Sequence, residues 1–424
     1  MRVLWLCNIV LPEFCEEFRI RRTVFGGWME GLYRELRSAG ACELAVACGI
    51  RDAARRHDGV RDGVRFYAFD ASRDDMLQDD AACEAMTADF VRILQELQPD
   101  VIQVFGTEYP HSWAMLMACR ELGMERRMVC HLQGILSFCH PHYAMGLPEA
   151  VVHEVDAAGN SIGKDIAAFR RQAVREVEVL RSVGFVTGRT FWDESCARVL
   201  RPDVRYRFCE EILRPEFYAP GPSWNLDACE RHTLFLSQAG YPVKGFHLFL
   251  PALQILKAWY PDIRVTIGGG NPMQPDAEGR RSPYGAYLYE LAQRLDVLDR
   301  LTFTGPLTAE EMRTQYVRAH VFVSASTIEN SPNSVAEAMI LGTPVVASLV
   351  GGLQTLITHG ENGLLYQADA PYMLASYVHE VFEDDTLATR MSARARETMR
   401  ERHDPARIAA QALAIYEEAS REGR

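Results

Sequence analysis

The sequence predicts an α/β protein built on two doubly wound, mostly parallel sheets. Three observations carry that expectation. Short apolar runs alternate with amphipathic stretches through the first half, the rhythm of strands covered by helices on both faces. The stretch Leu213 to Arg231 breaks the rhythm with Pro215, Pro220, Gly221 and Pro222. The rhythm then restarts and continues almost to the end. The expected division is a first domain over 1–220, a second over 221–403, and a closing amphipathic helix over 404–424.

In the first half, strands are expected at Val3–Cys7, Glu43–Ala47, Val64–Phe69, Val101–Phe105, Met128–Leu132, Gly184–Thr187 and Tyr206–Cys209. Helices such as Gly27–Ala39, Ala81–Leu97 and Asp165–Ser182 fill the intervals. In the second half, strands are expected at Thr233–Ser237, Ile263–Gly268, Leu301–Phe303, His320–Ser324, Pro344–Ala347 and Leu364–Tyr366. Helices follow at Gly245–Trp259, Tyr284–Leu295, Ala309–Arg318, Asn333–Leu341 and Tyr372–Glu383. Ligands of such sheets sit beyond the carboxyl ends of the strands, and two facing domains would make a cleft.

Composition narrows the function. The chain has 424 residues, enough for two or three domains, and 48% are apolar. No apolar run reaches the roughly 18 residues of a membrane-spanning helix. The opening MRVLWLCNIVLPE is expected to be a first strand and not a signal peptide. Residues 1–220 carry 27 basic and 33 acidic side chains and the remainder 18 and 24. Neither half is built for nucleic acid. Eleven Cys lie between Cys7 and Cys229 with no CxxC spacing, which suits reduced thiols in the cytoplasm.

The segment HVFVSASTIENSPNSVAEAMILGTPVVAS carries the chemistry. A strand runs into a polar loop, and Ser331-Pro332 is expected to cap the next helix, with Pro at its first position. Gly342 ends that helix. The N–H groups of Asn333 and Ser334, with the helix dipole, would suit a diphosphate. Glu337 lies one turn further in, placed for a ribose diol, and Glu329 lies in the loop before the helix, placed for a sugar hydroxyl. Taken alone, the pair equally describes a capped helix with two solvated carboxylates. Lys244, at another expected helix start, could meet phosphate oxygens, and the chain has only three Lys against 42 Arg. Gly26-Gly27, Gly268-Gly269-Gly270 and Gly351-Gly352 permit close backbone approach to a ligand, although each also describes a tight turn.

From about Leu234 to Asp384 these residues resemble the family-4 glycosyltransferases, retaining enzymes of the GT-B fold. The likeness rests on Glu329-Asn-Ser-Pro-Asn-Ser-Val-Ala-Glu337, Gly342-Thr343-Pro344, Gly351-Gly352, Gly360-Glu-Asn-Gly363 and Thr304-Gly305-Pro306. It implies that Glu329 meets the transferred sugar, Glu337 the ribose and Lys244 the diphosphate. Gly305 and Pro306 would line the base, Gly27 would approach the phosphates, and the final helix would return to the first domain. The sequence departs from the pattern at Ala239, where family members carry Arg, and at Glu210-Glu211, where they carry Asn-Gly.

No D-x-D occurs, so no metal cofactor is required, and Lys244 with the helix N-terminus would stabilise the leaving group. The candidate catalytic residues are Glu329, Lys244 and His131, the last ending an expected strand; a packed or turn histidine fits His131 as well. Cys139-His140-Pro-His142 invites a zinc reading that nothing else in the chain completes. The arginines of Arg19–Arg22 and Arg170–Arg175 would suit an anionic membrane surface or a solvated helix face. The expected partners are a nucleotide-sugar donor and a glycan or lipid-linked acceptor, at the inner face of the cytoplasmic membrane. The competing readings are a nucleotide-sugar epimerase and a non-catalytic sugar-nucleotide-binding module.

Overall fold

The computed structural model describes residues 1–21, 27–71 and 80–423. Gly26 and Arg22 of the readings above lie outside them. The chain forms two compact units. The first holds Met1–His140, Ala167–Ile212 and His403–Arg424; the second holds Pro141–Ile166 and Leu213–Arg402.

The first unit has an eight-stranded sheet of β1 (Arg2–Cys7), β2 (Glu43–Ile50), β3 (Gly59–Arg61), β4 (Val64–Asp70), β5 (Val101–Phe105), β6 (Met128–His131), β7 (Phe185–Gly188) and β8 (Tyr206–Phe208). Their order is β3-β4-β2-β1-β5-β6-β7-β8, parallel except for the β3–β4 hairpin. β1, β5, β6 and β7 are buried almost without interruption, as parallel strands covered on both faces must be. The Gly27–Ala39 helix buries Met29, Leu32, Tyr33 and Leu36 at helical spacing.

The second unit has a six-stranded, wholly parallel sheet of β9 (Glu230–Leu236), β10 (Arg264–Ile267), β11 (Leu301–Phe303), β12 (Ala319–Ser324), β13 (Val345–Ser348) and β14 (Leu364–Tyr366). Their order is β11-β10-β9-β12-β13-β14. The direction of winding reverses between β9 and β12, the switch point where doubly wound sheets bind ligands.

Two segments expected with the first domain pack with the second unit. Residues 141–166 join it because Ile162 is buried in its core and Tyr143, Leu147 and Val151 lie against that core. His247 Nε2 also meets the carbonyl of Met145 at 2.8 Å. Residues 213–220 join it through Leu213 and Phe217, buried beside Tyr316 and Met339. The final helix, Pro405–Glu422, starts at Asp404, whose carboxylate accepts from Arg407 N. It packs on the Gly27–Ala39 helix of the first unit, burying Ile408, Ala412, Ile415 and Tyr416.

Two further differences are local. β3 was not expected, being short and half exposed; Asp62 and Gly63, both at positive φ, turn it back on β4. The helix Asp385–Arg402 was also not expected. Its buried Leu387, Met391, Ala395 and Met399 recur at helical spacing among many charged residues.

Candidate functional site

Three loops at the carboxyl ends of β9, β12 and β13 meet at the switch point of the second sheet. The first carries Lys244, the second Glu329, and the third Gly351-Gly352. Because β9 and β12 are neighbours, residues 85 apart in sequence come together. Lys244 Nζ donates to Glu329 Oε1 at 2.6 Å, and Ser326 Oγ donates to the same oxygen at 2.8 Å. Burial opposes the Lys244 ammonium, but the Glu329 carboxylate and the Tyr241 hydroxyl outweigh it and hold its pKa above the usual lysine value.

Backbone contacts fix the loops against one another. Thr327 N donates to the carbonyl of Val243 at 2.8 Å. Gly245 has φ +65°, and a Cβ there would lie 1.8 Å from the carbonyl oxygen of Ala325. Gly351 has φ +49°, and its Cβ would lie 1.9 Å from the carbonyl oxygen of Glu329. Gly352 N donates to that oxygen at 2.9 Å. Gly245, next to Lys244, and Gly351 are required by close backbone approach, to Ala325 and to Glu329 respectively.

The Asn333–Leu341 helix starts one residue later than its expected cap implies. Pro332, not Ser331, occupies the N-cap position, with no side-chain cap bond. A proline there has the extended backbone that a cap needs, so Ser331 falls outside the helix. Asn333 and Ser334 open the first turn, where helix N–H groups point outward. At the far end, Thr343 N donates to Ala338 O and Gly342 N to Met339 O, a Schellman closure.

Glu337 is not a free acceptor. Its carboxylate is 5% exposed, and Arg214 grips it in a two-point fork, Nε to Oε1 and Nη2 to Oε2, each 2.8 Å. Tyr316 Oη adds a donor at 3.4 Å. Burial pushes the Glu337 carboxyl up, and Arg214 pulls it down without cancelling that rise. Arg214 was missed because it stands in the Pro- and Gly-rich stretch assigned to a linker. Ala239 is fully buried in the apolar core of the unit. Gly305, after β11, forms an antiparallel bridge with Gly269, after β10, with N–H to O distances of 2.9 and 3.1 Å. Pro306 beside it is exposed.

In the first unit, Gly27 is the first residue of its helix, and the following Trp28 ring lies 6.0 Å from the ring of His131. His131 ends β6 and is 4% exposed. Its Nδ1 lies 2.9 Å from Thr187 Oγ1 and its Nε2 lies 3.4 Å from Glu211 Oε1. Glu211 Oε2 meets Arg189 Nη1 at 2.8 Å, and Gln133 Nε2 donates to Oε1. Burial raises the Glu211 carboxyl, but Arg189, His131 and Gln133 overcome it and hold the pKa at about 2. Glu210-Glu211 stood in the sequence only as a departure; nothing in its spacing pointed to His131. His140 Nδ1 meets the carbonyl of Leu136, and among the described residues no group of three or more His, Cys, Asp or Glu could hold a metal. No helix among them is long and apolar enough to cross a membrane.

Comparison with known proteins bears on the same region. The family described as glycosyl transferases group 1 matches residues 226–398. The D-inositol 3-phosphate glycosyltransferase of Corynebacterium urealyticum is 36% identical over 145 residues, 34% of this chain and 33% of that protein. The chain thus aligns with about a third of the length of the first curated relatives it matches. Among solved structures, sucrose-phosphate synthase from Thermosynechococcus elongatus superposes with a TM-score of 0.68 at 16% identity, covering 99% of this chain and 98% of that one. Anabaena Alr3699/HepE, solved with UDP and glucose, gives 0.68 at 17% identity, covering 99% and 100%. Residues 226–398, which hold Lys244, Glu329 and Glu337, match the glycosyl transferases group 1 family, and the chain shares with those solved structures a GT-B fold of two parallel-sheet α/β domains.

Proposed function

We propose that the chain transfers a sugar from a nucleoside-diphosphate sugar to a hydroxyl of a glycan or lipid-linked acceptor, with retention at the anomeric carbon. The observation that carries this reading is the Lys244–Glu329 pair at the sheet's switch point, beside the N-terminus of the Asn333–Leu341 helix. Lys244 and the first turn at Asn333 and Ser334 bind the diphosphate. Glu329 orients the sugar hydroxyls, Glu337 holds the ribose from its Arg214 clamp, and Gly305 and Pro306 line the base. Gly27 and His131 serve from the first unit. The acceptor oxygen bonds to the anomeric carbon as the bond to the diphosphate breaks, and a departing phosphate oxygen takes the acceptor proton. Lys244 and the helix N-terminus stabilise the charge that develops, so the reaction proceeds without a metal ion. The proposed setting is the cytoplasm, at the inner membrane face, in polysaccharide synthesis.

A panel of UDP-, GDP- and ADP-sugars, scored for nucleotide release with and without acceptors, tests the proposal. The panel includes UDP-glucose and, among acceptors, D-inositol 3-phosphate, which the relatives' names suggest. Acceptor-dependent release in the presence of EDTA supports it. Donor conversion without acceptor would mean an epimerase, and a thermal shift without any release would mean a binding module; either result overturns it.

A further inference from the structure

One cavity of the first unit is lined by Trp28, Phe105, His131, Thr187, Glu210 and Glu211. Within it the two nitrogens of the His131 ring face different partners. Thr187 stands opposite His131 on the adjoining strand, with its hydroxyl on Nδ1. Glu211 faces Nε2. A hydroxyl can donate or accept, whereas a carboxylate only accepts. The proton of a neutral ring therefore belongs on Nε2, with the Thr187 hydroxyl donating to Nδ1.

Glu211 is itself held from several sides. Arg189 and Gln133 bind its two oxygens, and His403 Nδ1 meets its backbone carbonyl at 2.8 Å. The carboxylate is 2% exposed. A buried ion pair seldom adds net stability over an apolar replacement, so its benefit is orientation. The other titratable neighbours are Glu210, the Cys209 thiol, pushed up to about 12 by burial, and the Tyr416 phenol, pushed higher by burial. Both thiol and phenol are neutral near pH 7.

We propose that Glu211 is a positioning residue: its charge, 3.4 Å away, fixes His131 as the Nε2–H tautomer, and that buried N–H, which makes no hydrogen bond within the described residues, is left to donate to a sugar hydroxyl entering this cavity. The benefit to turnover rests on the transferase reading; the effect on the ring does not. A supporting carboxylate of this kind changes activity about 10–100-fold when removed, by analogy with groups that orient metal-ligating histidines.

The test uses the full chain with 15N-labelled histidine, the His131 signals being identified by their loss in H131Q. In its neutral ring wild type should show the Nε2–H tautomer, and E211Q should show a mixture. With UDP-glucose, or the donor the panel identifies, E211Q should lower kcat about 10–100-fold while KM for donor changes little, and E211D should recover part of the loss. An unchanged tautomer in E211Q, or unchanged kcat, overturns the proposal. If E211Q does not fold, T187V decides: it leaves the ion pair in place and should keep the Nε2–H tautomer, so a scrambled tautomer there would assign the control to Thr187. If no donor is turned over, the transferase reading falls, and the spectra still decide the role of Glu211.

Discussion

Replacing Arg214 by Ala should destabilise the second unit in a pH-dependent way. Glu337 keeps its charge in the interior because Arg214 donates twice to it, at 2.8 Å each. Removing one member of a buried pair costs about 3–5 kcal/mol. The Arg214 side chain is 18% exposed, so water can partly replace it, and the low end, about 3 kcal/mol, is the expected loss. For a unit of roughly 200 residues this lowers Tm by about 6–12 °C. The sign with pH follows from Glu337. Burial already raises its carboxyl, and loss of Arg214 raises it further. An acid with a raised folded-state pKa costs stability above its ordinary value of 4.5, and the cost vanishes as it protonates. The Tm gap between wild type and R214A should therefore be widest near pH 8 and close toward pH 5. R214K keeps the charge but loses the fork and should fall between them. Differential scanning calorimetry from pH 5 to 8 reads all three proteins. A gap under about 2 °C at pH 8, or one independent of pH, would refute the buried-pair reasoning.

Four shorter expectations follow. K244A should lower turnover about 100–1000-fold, the scale for losing one charge-stabilising donor, and near-normal turnover in the panel assay would remove Lys244 from the mechanism. G351A should cost more than about 2 kcal/mol in urea unfolding, since it combines a strained φ with a Cβ driven into the Glu329 carbonyl; a neutral G351A would show that the loop can shift. His320 is stacked on Phe382 and pushed down to about 3, first by burial and then by Arg231 and His232. Its neutral form is required, so its contribution is full above pH 6.5 and is lost as pH falls from 6.5 toward 3; H320Q should flatten that part of the urea-midpoint profile. Glu211, held at about 2, contributes fully above 4.5 and loses that contribution as pH falls from 4.5 to 2; E211Q should remove this acid limb and no other.

The strands were legible because parallel strands buried on both faces must be continuous apolar runs, as VLWLC and VFVS are. β3 was not, because three half-exposed residues carry no periodicity; only the Asp62-Gly63 turn announced it. The acids Glu329 and Glu337 were visible as a spacing, but spacing does not name partners. Lys244 was found as a cation at a helix start, and only the order of strands in the sheet brings it onto Glu329. Arg214 could not be found the same way. Prolines and glycines describe what a backbone does, so a Pro-rich stretch hides a side chain that reaches into a core. Glu211 was hidden for a related reason: its partners His131, Gln133 and Arg189 come from two other stretches of the chain.

Pairing each acid with its own cation changes how a donor would be received. Glu329–Lys244 and Glu337–Arg214 are both formally neutral, so a doubly charged diphosphate finds no unspent cation in either pair. One pair must open, and their geometry says which. Arg214 is held by two bonds to a carboxylate 5% exposed, whereas Lys244 makes one contact with a carboxylate 15% exposed. A single point charge on a flexible stem can turn to phosphate oxygens at the loss of one bond, while the planar fork would lose two together. The ammonium that leaves Glu329 then frees its oxygen for sugar hydroxyls, so one movement would supply both the cation for the leaving group and the acceptor for the sugar. Ala239, sealed in the apolar core, contributes no second cation from the position where family members carry Arg. On this reasoning E329Q, which releases Lys244 without donor, should bind free UDP more tightly than wild type while turning over UDP-glucose more slowly. Weaker UDP binding in E329Q, measured by calorimetry, would mean that the pair is not what the diphosphate displaces.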